Sequence, residues 1–185
     1  MPPIPKKPID ELRSLGAPHD LVDWFRKLPP EDTVRRAWVD APRPQWMPYL
    51  AVLRGLDRGA ILRATCACAV ETAERTLTGP EADRVLAVLR AAVERGKDAL
   101  ATAEADLGDL RLVMIDHDQA GAGAPAPWMV WAKLVLELAR ASGRGNPLVG
   151  IALAMKLLAD AAPARGGQPA RHELVARFRD KLVLG

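Results

Sequence analysis

The sequence predicts an all-α protein, a compact bundle of about eight or nine helices that could divide into two helical subdomains. Three observations carry that expectation. Hydrophobic residues make up 49 % of the chain but aromatics only 4 %, so the core must be built mostly from Leu, Val and Ala, residues that helices use readily. Alternating, Val-rich stretches of the strand kind are scarce. Apolar residues recur instead at three- and four-residue spacing, along 185 residues that suit one domain with a sizeable core.

The elements follow in order. MPPIPKKP (1–8) is a proline-rich arm that cannot sustain a hydrogen-bonded backbone. The remaining residues, 9–185, read as one helical domain. A short helix is expected over 9–15, closed by Gly16. A second runs over 19–28, with Leu21, Trp24, Phe25 and Leu28 on one face. Pro29 and Pro30 stop it. Glu31 and Asp32 then sit where a third helix would place acids in its first turn, with Val34, Trp38 and Val39 turned inward.

Residues 43–54 read as helical from a start later than Pro44, because Pro48 would kink a helix already in its second turn. Asp57 is the expected N-cap of a long helix over 57–77. Thr78 and Glu81 have capping-box spacing ahead of a helix whose stripe is Val85, Leu86, Val88, Leu89, Ala92 and Val93. Residues 97–110 are helical at least in their first half. LRLVMIDHDQ (110–119) fits a strand, a helix or a loop. Residues 119–127 form a Gly/Pro-rich hinge by composition. Three helices follow, over 128–142, 146–162 and 170–182. Asn146-Pro147 caps the second, and ARGGQP (164–169) supplies the last turn.

The formal charge is +3, a mild bias that falls short of a dedicated nucleic-acid binder. No 18-residue apolar run is present, so no membrane span is expected. The opening MPPIPKKPIDEL has no apolar core behind its charges, so no secretion signal is expected either. Two cysteines without such a signal point to a reducing, cytoplasmic setting.

Cys66 and Cys68 are two residues apart. On a helix they point about 200° apart, so they can neither close a disulfide nor share a metal, and they read as small packing residues among alanines. Asp116, His117 and Asp118 hold metal- or base-type side chains, but no further ligand lies nearby and a solvated turn is the plainer reading. His172-Glu173 lacks the second His of a metalloprotease motif, since Ala176 stands in its place. The glycines at 121 and 123 lack the Lys-Ser/Thr that completes a phosphate loop. No cofactor, metal or catalytic constellation is expected, and a contact function is expected over an enzyme. The candidate partner-binding residues are Arg35, Arg36, Trp38, Arg43, Trp46 and Arg58, with Arg54 and Arg63 beside them. Arginine next to tryptophan is what interface hot spots use.

AWVDAPRPQWMPYLA (37–51) is followed by Asp57-Arg58 and then by TCACA (65–69). Together these resemble the bacterial immunity protein 5 family of polymorphic toxin systems. Its members carry a segment of the form A-W-x-x-C-x-R-x-D-W-M-x-W-L-A and a D-R step into a helix containing A-C-A-C-A. The likeness covers about residues 24–97. It departs from the pattern at Ala41 or Pro42, at Gln45 and at Pro48. The resemblance implies a helical scaffold that binds and neutralises a cognate toxin. A helical adaptor or regulatory subunit of a bacterial assembly is the alternative.

Overall fold

The computed structural model describes residues 7–121, 123–143, 146–161 and 170–183. Their helices are α1 (Pro8–Ser14), α2 (His19–Arg26), α3 (Thr33–Asp40), a 3-10 turn (Pro44–Trp46), α4 (Met47–Leu53), α5 (Arg58–Ala73), α6 (Pro80–Arg95), α7 (Lys97–Leu100), α8 (Ala103–Asp106), α9 (Gly108–Ala120), α10 (Pro127–Gly143), α11 (Pro147–Ala161) and α12 (Ala170–Val183). Among the described residues there is no strand, so the all-α class holds. The proline-rich stretch 1–6 and the expected turn at 164–169 lie outside the described residues.

Among the described residues twelve α-helices stand where eight or nine were expected, partly because 97–110 breaks into pieces. The Thr102 hydroxyl lies 3.2 Å from the Ala99 carbonyl and 2.9 Å from the Asp106 carboxylate. That local bonding competes with a continuous helix. Gly108 then opens α9, which carries 110–119 as helix. The expected hinge at 119–127 begins inside α9, with Gly121 in the left-handed region at its end.

Several boundaries fall where the sequence placed them. Gly16 takes φ +73 behind α1. Asp57 Oδ1 accepts the Ala60 N–H at 3.0 Å, and Asn146 Oδ1 accepts the Leu148 N–H at 3.1 Å. The α4 helix starts at Met47, so Pro48 sits in its first turn, where its missing N–H costs nothing. Two expectations fail. Gly79, at φ +108, is the N-cap of α6 and no side chain caps it, so Thr78 and Glu81 form no capping box. Asp32 stays outside α3 in a left-handed conformation, which leaves no acid in the first turn of that helix. The register that results buries Trp38 but leaves Val39 56 % exposed.

One hydrophobic cluster joins helices from both sides of 119–127, from Leu12 and Leu21 to Leu148 and Phe178. The α5 helix lies at its centre, packed against α6, α11, α12 and α4. The tightest pair is α10 with α11. They approach so closely at Gly150 that a Cβ there would lie 2.2 Å from the Ala141 Cβ, so only glycine fits. No described helix is long and apolar enough to cross a membrane.

Candidate functional site

The arginine-and-tryptophan stretch resolves into two clusters. The first is built on Trp38, which α3 turns into the core, leaving 8 % of it exposed. Two guanidiniums flank its indole: Arg54 lies 5.1 Å from the ring centre and Arg179, from α12, lies 5.9 Å away. Arg179 also donates Nη2 to the Trp38 carbonyl, and to the Val39 carbonyl at 2.7 Å. These are terminal carbonyls of α3 left without intrahelical partners, so Arg179 caps that helix from a distant part of the chain. Burial lowers the pKa of Arg179, while Asp40 and Asp180 act in the opposite sense. Arg35 bonds to Asp32 across one turn, and Arg36 is exposed beside it.

The second cluster is built on Trp46. It is 3 % exposed, with Trp24 tilted against it at 5.1 Å and Arg43 5.1 Å above its ring. Arg43 is held by an ion pair to Asp20. The Trp46 Nε1 is buried without a hydrogen-bond partner among the described residues. Arg58 opens α5 and is exposed, with no ion pair or ring contact to either cluster among the described residues.

By ring contact the expected residues sort into these two clusters, with Arg58 in neither. The Trp38 and Trp46 rings serve as cores around which arginines are arranged, and what solvent meets is Arg35, Arg36, Arg43, Arg54, Arg58 and Val39. Sequence reasoning missed Arg179, which stands 141 residues from Trp38 with no local signal to link them. It also missed Val39, placed on the inward face of α3.

The other chemistry-bearing residues fall as follows. Cys66 and Cys68 are free thiols and both fully buried. Burial pushes each thiol pKa up to about 12, far from the thiolate that a nucleophile or metal ligand needs. Asp116, His117 and Asp118 lie in the last turns of α9, with both acids exposed. His117 Nδ1 is 3.8 Å from Asp118 Oδ1 and has no hydrogen-bond partner among the described residues. Among the described residues, no three His, Cys, Asp or Glu side chains gather closely enough to hold a metal ion.

This arrangement can present planar donors and apolar area to a protein surface. The rings behind the guanidiniums limit their motion, which lowers the entropy lost on binding. Compared with protein-family models, with curated proteins and with solved structures, the chain matches none.

Proposed function

We propose that this protein acts by contact rather than by catalysis, as a cytoplasmic protein-binding module that covers the active surface of a cognate toxin. The observation that carries this reading is the Trp38 cluster. There Arg54 and Arg179 flank one buried indole, next to the exposed Val39 and Arg36. Asp40 and Asp180 lie close enough to Arg179 to offset part of the effect of its burial. An apolar contact ringed by held cations suits an acidic partner surface, which gives both steering and specificity. The likeness of residues 24–97 to immunity proteins supports the choice of a toxin as that partner. Exposed apolar side chains away from this cluster, Leu112 and Ile115 on α9 and Val149 and Leu153 on α11, favour the other reading, a helical adaptor that engages an assembly at more than one face.

The test is capture of the full chain's partner from its native host, identified by mass spectrometry. A toxin is expected, one that arrests growth when expressed alone and is relieved by this protein. Reversing charge at two exposed positions, Arg36→Glu with Arg54→Glu, should weaken that complex about tenfold or more, mainly through slower association. A set of assembly subunits in place of one toxin would support the adaptor instead. Unchanged affinity in the double variant would move the contact away from this face.

A further inference from the structure

The end of α3 lacks the donors that ordinarily close a helix. Its last carbonyls would accept from the N–H groups of the next four residues, Ala41, Pro42, Arg43 and Pro44. Two of these are prolines and have no N–H to give. Ala41 precedes Pro42 and is held out of the helical region, at φ −55 and ψ 116. Among the described residues no backbone N–H beyond Asp40 returns to α3. Little else holds this helix. Only its Ala37 and Trp38 are buried, and its main neighbour is α4.

Arg179 supplies the missing donor from a firm base. Its neighbour Phe178 is fully buried, as are Leu174 and Val175 on the same helix. The α12 helix packs on α5, on α11 and on the 3-10 turn, and an ion pair from Lys181 to Glu71 ties it to α5 again. From there one guanidinium stands 5.9 Å from the centre of the Trp38 ring and donates to the Val39 carbonyl at 2.7 Å. It donates to the Trp38 carbonyl as well. A lysine ammonium, a point charge without the planar fork, does not match ring and carbonyls together. The residues held in this way include those that a partner would meet. Arg36 and Val39 stand three positions apart on one face of α3 and are both exposed, while Trp38 turns into the core.

We infer that Arg179 is the positioning residue of the arginine face. Through it α12 fixes the end of α3, so that docking of α12 and binding of the acidic partner reinforce each other. The inference rests on the toxin-binding reading for its partner. It adds that part of the affinity is set by a residue 141 positions from Trp38 in the chain. By linkage, the factor that a docked α12 contributes to binding is the factor that a bound partner returns to the docking of α12.

The experiment reads hydrogen–deuterium exchange in the full chain, free and with the protein captured from the host, for the unmodified chain, Arg179→Met and Arg179→Lys. In the free chain both variants should speed exchange at Ala37 to Asp40 about tenfold or more, the scale of a hydrogen bond to a charged group. Exchange in α5 and α10 should not change. Affinity for the captured protein should fall about fivefold or more in both variants. Binding should slow exchange across α12 in the unmodified chain, and should do so less in either variant. Arg179→Lys keeps the charge and the apolar stem, so it carries the test if Arg179→Met does not fold. Unchanged exchange at Ala37 to Asp40 would overturn the inference. So would full affinity in the Arg179 variants where Arg36→Glu with Arg54→Glu has weakened the complex. Full affinity in that double variant too would overturn the toxin-binding reading of this face, and the inference with it.

Discussion

Helices α5 and α9 both carry apolar residues on more than one side, and the fold treats them in opposite ways. In α5, Ile61, Leu62, Cys66, Cys68 and Ala69 are all buried, although positions two apart point about 200° from each other. Four neighbouring helices pack around it and leave open only the stripe that runs through Arg63, Ala67 and Val70. In α9 only Leu110 is buried, while Leu112, Val113 and Ile115 face solvent. Its main neighbour is α10, and α6 holds its first turn through a polar clamp from Arg84 to Asp109. The burial of an apolar side chain is thus set by how many neighbours its helix has. Apolar residues that a fold could have covered and did not are where a partner is to be sought.

The sharpest way to break this comparison is to truncate one large side chain in each helix. Ile61 is fully buried, so Ile61→Ala removes its transfer energy and leaves a cavity, at a cost of about 3 kcal/mol. Leu112 is 63 % exposed, and Leu112→Ala should shift stability by no more than about 0.5 kcal/mol. Urea midpoints at an unchanged slope read both. A loss for Leu112→Ala near that of Ile61→Ala would mean that α9 is already covered.

The thiols sharpen the same contrast by a different route. Burial keeps the protons on Cys66 and Cys68 up to about 12, whereas thiols in an unfolded chain ionise near about 8.5. Above that lower value the unfolded state has released protons that the folded state retains. Stability therefore falls as the pH rises from about 8.5 toward 12. At neutral pH, iodoacetamide should label neither cysteine of the folded protein, and labelling should follow the urea unfolding curve. Prompt labelling of the folded chain at neutral pH would show that the sides of α5 that carry the thiols are open.

The interior of this protein was legible in the sequence where local spacing decides structure. The late start of α4 before Pro48, the Asp57 cap and the packing role of the cysteines all follow from residue type and from distances of a few positions. The surfaces were harder. The inward placement expected for Val39 assumed a helix that opened on Glu31 and Asp32. The left-handed Asp32 delays that start, and the side chain ends up outside. Arg179 reaches Trp38 across 141 residues, and Arg43 reaches Asp20 across 23. No periodicity encodes either meeting. Residues 110–119 stayed open between strand, helix and loop because an apolar run without flanking helices has no fixed period to read. The half-exposed state of α9 is the structural form of that ambiguity.

The smallest expected effect concerns how α9 is held. Arg84 donates Nη1 and Nη2 to the two oxygens of Asp109, both at 2.7 Å, and Nη2 also reaches the Asp106 carbonyl at 2.6 Å. These bonds lower the Asp109 pKa to about 2, below the roughly 3.9 of an Asp in an unfolded chain. A lowered carboxylate stabilises the folded state above its unfolded value, and that contribution is lost as the pH falls through about 2. Both side chains are largely solvated, at 66 % and 41 % exposed, so screening keeps the contribution small. An NMR titration of the side-chain carboxyl should place the Asp109 midpoint near 2, and Arg84→Met should return it to the ordinary carboxylate range. The same variant should speed amide exchange in α9 and leave α5 untouched, because this clamp holds the first turn of α9. If the midpoint did not move, Arg84 would not hold that turn, and α9 would depend on α10 and the single buried residue Leu110.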